Sequence, residues 1–325
     1  MLVYMIRRLG QSFFAIAAMA LLVFVGVYAI GNPVDILISP EATELDREAQ
    51  IIRLGLDKPL WEQFFVYIGN VARGDLGNSF VYGTPAMTLI LQRLPATLEL
   101  ALVALAISVF LGVPLGMIAG LRPETATGRS IMAGSILGFS LPNFWQGMML
   151  ILIFAVILGW LPAGGRGATI EVLGVPLSIL TDGGLAHLIL PAINLALFKL
   201  SLVIRLARAA TREVAMQDYV KFARAKGLSE RRIVLVHILK TIMIPITTVL
   251  GLELASMIAF GIVTETVFSW PGMGKLLINS IQLLDRPVIV AYLMLTAFMI
   301  VMINLIVDVL YAVLDPRINL KDVAA

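Results

Sequence analysis

The sequence predicts an all-α membrane protein with six transmembrane helices, both termini on the cytoplasmic side, and a folded helical cap between the first and second helix. Three observations predict it. Hydrophobic residues fill 59% of the 325 positions and charged residues only 14%, where a soluble domain carries about 25% charge. Six apolar stretches reach the roughly 20 residues that a helix needs to cross a hydrocarbon core. Lysine and arginine gather in alternate connections, which sets the orientation.

The six stretches are Ser12–Ile30, Pro95–Ala119, Ile131–Leu161, Leu185–Leu206, Ile242–Thr264 and Val288–Tyr311. Arg7 and Arg8 precede the first, and Arg122 and Arg129 follow the second. Arg208, Arg212, Lys221, Arg224, Lys226, Arg231, Arg232 and Lys240 follow the fourth, and Arg317 and Lys321 follow the sixth. All of these share one side, taken as the cytoplasm. The first outer connection is acidic, with Asp35, Glu41, Glu44, Asp46, Glu48, Asp57, Glu62 and Asp75.

Ser12–Ile30 follows basic residues as a secretory signal would. Its apolar run is too long for one and no convincing cleavage pattern follows, so it is expected to stay as a span. The connection 31–94 is too long to be structureless. Thr43 and Asp46 form a capping-box pattern, and Gly55 stands where a helix would stop. Asp57 and Pro59 open a second helix, in which Leu60, Phe64, Ile68 and Val71 recur at helical spacing until Gly74. This cap either docks a partner or lies on the membrane surface. In the second stretch, Gly112, Gly116 and Gly120 have the spacing that lets helices approach closely in lipid, or reflect the general abundance of membrane glycine. Pro142 predicts a kink or a short lead-in helix in the third. Trp160 and Trp270 are expected in the outer aromatic belt.

Lys199 and Glu253 are the clearest ionisable residues inside spans. Each costs about 2.5–3.5 kcal/mol at a helix centre, so they face a cavity or pair with each other. Glu253 either lines a translocation path, or pairs with Lys199 or caps a neighbouring backbone, and Lys199 is also within snorkelling reach of the inner face. Arg205, Arg208 and Arg212 recur at helical spacing, for lipid headgroups or a partner.

ARAKGLSERR, Ala223–Arg232, stands apart as a basic elbow between two apolar stretches. Ala223 and Ala225 favour helix, Gly227 stops it by taking positive φ, and Ser229 caps the next helix. The chain has no cysteine and only His187 and His237, which leaves little for metal chemistry. PGMGKLL lacks the first glycine and the hydroxyl residue of a Walker A loop, and there is no zinc-protease or serine-nucleophile motif. A transport subunit rather than an enzyme is the expectation.

DYVKFARAKGLSERRIVLVHIL, Asp218–Leu239, resembles the cytoplasmic loop of permease subunits in bacterial ATP-binding-cassette importers, in the dipeptide/oligopeptide/nickel subfamily. MIRRLGQS, GLDKPLWEQF, GDLGNSF, LPATLEL, SLPNFWQGMMLIL, ETVFSWPGMGKLL and DPRI carry the resemblance along nearly the whole chain. The broad family's Glu-Ala-Ala is Lys221, Phe222 and Ala223 here, and Lys240 stands where a proline is expected, both common departures in this subfamily.

The resemblance implies import of di- or oligopeptides, or of a nickel complex or glutathione, across the bacterial inner membrane. It implies a second, homologous permease, two ATPase subunits that bind ATP and magnesium, and a periplasmic or lipid-anchored solute-binding protein, with no nucleic acid. The chain itself then needs no cofactor. Tyr219, Ala223, Arg224, Ala225, Lys226, Gly227, Leu228 and Ser229 are expected to couple to the ATPase. Pro142, Asn143, Lys199 and Glu253 are candidates for the path, and Asp57, Trp61 and Asp75 for docking a periplasmic partner. The organisation is then 1–30 tail and first span, 31–94 periplasmic cap, 95–311 permease core with elbow 211–240, and 312–325 cytoplasmic tail. A self-contained secondary transporter or channel is the alternative.

Overall fold

A computed structural model describes residues 2–29, 43–53 and 56–314. Among these the chain is helical almost throughout, with one two-stranded antiparallel hairpin. It divides into two compact units, Met1–Leu94 with Gly272–Val301, and Pro95–Pro271 with Met302–Ala325.

The first unit contains α1 (Leu2–Ala29), α2 (Glu44–Arg53), α3 (Leu60–Ala72), α12 (Met273–Gln282) and the first part of α13 (Arg286–Leu314). The capping box forms as expected: Thr43 N–H donates to Asp46 Oδ2 at 3.0 Å, and Asp46 N–H to Thr43 Oγ1 at 3.3 Å. The hydrogen bonds from Thr43 hold the Asp46 carboxyl below its ordinary range. Gly55 lies outside the described residues, as do Asp35, Glu41, Arg317, Lys321 and the DPRI stretch. Pro59 precedes α3, and Gly74 follows it at φ 75°.

The core of this unit is apolar: Ala20 and Val23 of α1, Val290 and Met294 of α13, and Tyr67, Ile68 and Val71 of α3. A buried carboxylate fixes the GDLGNSF loop. Asp285, fully buried, accepts from Ser79 Oγ, and from Phe80 N–H at 3.0 Å.

The second unit holds α4 (Ala86–Leu121) from Pro95 onward, α5 (Ala126–Ser140), α6 (Asn143–Leu150), β1 (Ile170–Val172), β2 (Val175–Leu177) and α7 (Asp182–Ala215). After it come α8 (Asp218–Ala225), α9 (Glu230–Arg232), α10 (Leu239–Phe260) and α11 (Ile262–Val267). Wide π-type turns prolong α6 through Ile151–Ile157 and join α9 to α10 through Ile233–Ile238.

Among the described residues five helices are long and apolar enough to cross a membrane, and a sixth crossing is available if one bent pair is counted. That pair is the third stretch, broken where Pro142 predicted a kink. Ile131–Leu161 is not one continuous helix but parts of α5 and of α6 with its π-type extension, bent by 104°. Pro142 forces the residue before it out of helical geometry, and Leu141 is extended, at ψ 138°. The bend frees carbonyls, and Gln146 Nε2 donates to two of them, Gly138 at 2.7 Å and Leu141 at 2.9 Å.

The glycine spacing of α4 is a true contact stripe. A Cβ on Gly112, Gly116 or Gly120 would lie 2.7, 2.6 or 2.8 Å from Val203, Ala207 or Thr211 of α7. The partners ascend together, so α4 and α7 run parallel with their backbones nearly touching. The hairpin was not foreseen. Its two-residue turn places Leu173 and Gly174 at φ 52° and 79°, the left-handed pair that tight hairpins require.

Candidate functional site

The elbow is built as a closed motif. Gly227 N–H donates to Arg224 O at 2.9 Å and Leu228 N–H to Ala223 O at 3.3 Å. With Gly227 at φ 78°, these two bonds make a Schellman cap at the end of α8. Across the turn, Arg224 Nε donates to Glu230 Oε1 at 2.7 Å and ties α8 to α9. That hydrogen bond holds the Glu230 carboxyl below its ordinary range and the Arg224 guanidinium above its own. Ser229 stands at the start of α9 but makes no side-chain cap bond.

One face of the elbow belongs to the core. Val220 and Ala223 are buried with Val113, Met117, Val203, Ala207, Val214, Ile233, Ile238, Ile242 and Ile246. The inward face therefore locks α8 to α4, α7 and α10. Ala223, one of the residues expected to couple to the ATPase, is buried in this chain's own core. Ala225, Lys226 and Gly227 are exposed, and Leu228 is half-buried.

The outward face adds Met216 and Phe222 to Tyr219, which the sequence had already singled out. Met216, Tyr219 and Phe222 recur every third residue and are 72%, 40% and 61% exposed. Tyr219 Oη lies 3.0 Å from Thr241 Oγ1, and Lys226 Nζ lies 4.7 Å from the centre of the Phe222 ring. Met216, just before α8, and Tyr219 and Phe222 on it form an exposed apolar stripe beside the charged residues of the elbow.

The structure brings Lys199 and Glu253 together as an ion pair between α7 and α10, and Lys199 Nζ also donates to Ser256 Oγ at 2.9 Å. The side chains are 11% and 18% exposed. Asn143 belongs to a different cluster. Asn194 Nδ2 donates to Asn143 Oδ1 at 2.6 Å and to Thr264 Oγ1 at 3.1 Å, which knots α6, α7 and α11 together. Pro142 is exposed at the bend.

Asp57 and Trp61 are exposed at the start of α3, and Asp75 Oδ1 accepts from Gly77 N–H at 3.0 Å within its own loop. Trp160 is exposed as a belt residue would be, at 69%, but Trp270 is not. It is fully buried, its Nε1–H donates to Ala96 O at 2.9 Å, and Arg166 lies over its ring.

Trp270 is part of a charged network that the sequence reading missed. Glu99 of α4 accepts from Arg166 Nη2 at 2.7 Å, and from the backbone N–H groups of Ser178 at 2.6 Å and Ile179 at 2.8 Å. Arg166 also donates to Pro176 O at 2.6 Å, and Thr97 Oγ1 donates to Glu265 Oε1 at 2.7 Å. A glutamate near the start of an apolar stretch and an arginine in a glycine-rich loop carry no spacing signal. Only the fold joins them.

Residues 112–320 match the family described as the binding-protein-dependent transport system inner membrane component. The chain belongs to that family. It is 37% identical to the dipeptide transport system permease protein of Escherichia coli K12, over 99% of this chain and 100% of that one. It is 38% identical to the oligopeptide transport system permease protein of Bacillus subtilis, over 98% and 100%, and 37% identical to the glutathione transport system permease protein of E. coli K12, over 99% and 100%. The fold is shared with a chain of the MetNI methionine ABC transporter in an inward-facing conformation, with TM-score 0.54, 15% identity, and coverage of 70% of this chain and 97% of that one. The protein is thus an inner-membrane permease subunit of an ATP-driven importer, a class that works with a separate ATPase and a solute-binding protein.

Proposed function

We propose that this permease forms half of a translocation pathway for di- or oligopeptides, and that the elbow Met216–Glu230 transmits the ATPase's movement to it. The observation that carries the proposal is the two-faced construction of α8. Its inner face is buried in the apolar cluster of the core, and its outer face offers Tyr219 and Phe222 to a partner, with Met216 exposed just before it. A body gripped on one face and fixed on the other moves its spans as a unit. ATP and magnesium belong to two ATPase subunits, and a second, homologous permease supplies the other half of the path. The peptide class rests on the names of the relatives; glutathione is the nearest alternative among them.

The topology proposed has six crossings, both termini in the cytoplasm, and α2 and α3 on the periplasmic side. The parallel contact of α4 with α7 supports counting the bent pair as one crossing, since two parallel spans need a return between them. The positive-inside distribution supports the orientation. Asp57 and Asp75 then lie on the side from which a binding protein arrives.

Lys199 and Glu253 are proposed to border the path. A pair partly open to solvent at membrane depth faces water or protein, not lipid. Replacing both, Lys199→Met with Glu253→Leu, removes the charges without stranding either. The assembled complex is expected to survive while uptake in proteoliposomes falls several-fold. Unchanged uptake assigns the pair a purely structural role. The elbow is tested by co-purification: the ATPase is expected to come down with the wild type and to be lost with Phe222→Asp.

A further inference from the structure

We propose that α3 is an interfacial anchor, lying in the headgroup–acyl boundary of the bilayer with Trp61 and Phe65 inserted into lipid. The helix LWEQFFVYIGNVA is apolar around most of its circumference. One strip, Tyr67, Ile68 and Val71, packs on α1, and Phe64 meets Phe24 edge to face at 5.2 Å. The neighbouring strip is open: Trp61 and Phe65, one turn apart, are 64% and 67% exposed.

Where α3 docks decides what covers that strip. Its core partners on α1 include Ile16, Met19, Ala20 and Val23, and all of these lie inside the membrane-crossing segment Arg7–Gly26. A helix packed beside the final turns of a span is at membrane depth and not in bulk water. The rest of α1 exposes Phe13, Phe14, Leu21, Leu22 and Val25, a surface made for acyl chains.

Polar groups at the start of α3 are satisfied locally. Lys58 Nζ meets Glu62 Oε1 at 2.7 Å, and Gln63 Nε2 donates to Lys58 O at 2.7 Å. Tryptophan and phenylalanine on one side with charge on the other is the pattern of helices lying in the plane of the interface, where the apolar face sinks about 5–10 Å. The anchor would hold the outer end of α1 at a fixed depth. It assigns Trp61 to lipid and leaves Asp57 and Asp75 for a binding protein.

The absence of cysteine in this chain makes the test clean. Phe65→Cys carries a nitroxide label in the full transporter, built with cysteine-free partner subunits and reconstituted in phosphatidylethanolamine–phosphatidylglycerol vesicles. Labels at Phe13→Cys and Glu48→Cys give the lipid and water references. The ratio of oxygen to nickel-chelate accessibility at 65 is expected to match that at 13 and to exceed that at 48 several-fold, with or without the binding protein. Nickel-chelate access at 65 equal to that at 48 overturns the proposal, and its loss on adding binding protein would identify a docking site instead. Exclusion of both reagents overturns it in favour of another subunit. Trp61→Cys repeats the measurement should the Phe65 variant fail to assemble, and uptake by the labelled complex reports the transport reading separately.

Discussion

The two ends of the α4–α7 pair are held by opposite means. At the elbow, Val220, Ala223 and Ile233 pack into an apolar cluster, and the charges stay outside, in exposed pairs. At the other end, Glu99, Arg166, Thr97, Glu265 and Trp270 interlock through buried, directional bonds. Apolar packing tolerates small shifts of contacting surfaces, whereas a buried ion pair is strongly penalised once its partner leaves. Under the proposed function the difference assigns the two ends their roles: the hairpin end would fix the frame, and the elbow end would be the one that is moved.

Breaking the anchor is expected to have the largest effect. Glu99→Ala leaves Arg166 buried without its carboxylate, a change that typically costs about 3–5 kcal/mol. The complex should be lost from the membrane fraction or unfold at markedly lower temperature, and adding Arg166→Met should recover part of the loss. Gly227→Val comes next. A side chain at φ 78° costs about 1–2 kcal/mol, enough to distort the Schellman cap and weaken ATPase co-purification, while Gly227→Asn should retain most of it.

Phe222→Asp sharpens the comparison further. Phe222 is exposed, so thermal stability of the isolated permease should hold, while affinity for the ATPase falls about tenfold or more, as at a central interface residue. The smallest effect belongs to the Arg224–Glu230 clamp. The Glu230 carboxyl is held low by Arg224, so the clamp is complete above the ordinary carboxylate value, about 4.3, and opens only as pH falls through the depressed folded value. Hydrogen exchange over 218–230 should be insensitive to this pair near neutrality, after correction for intrinsic rates, and rise in acid. Glu230→Gln should remove that acid step.

The same contrast explains what could be read from the sequence. The spans, the elbow and its glycine were legible because apolar length, basic loops and a helix stop are local signals. The inward turn of Ala223 was not, because helical phase relative to the core depends on where α4 and α7 sit. The Glu99 network was invisible for a similar reason: its members come from stretches 67 and 79 residues apart in sequence. Trp270 looked like a belt residue by position and proved to be core because Arg166 and Ala96 close over it. The break at Pro142 was foreseeable as a kink, but its 104° amplitude was not.

The central claim is that motion enters through the outer face of α8. The most direct measurement is ATP-driven peptide uptake in proteoliposomes holding the complete importer, with Tyr219→Ala and Phe222→Ala combined and ATP hydrolysis followed in the same vesicles. The account predicts that uptake collapses while the permease stays folded in the membrane and the ATPase subunits keep their basal hydrolysis. Uptake at the wild-type rate in that double variant would contradict it.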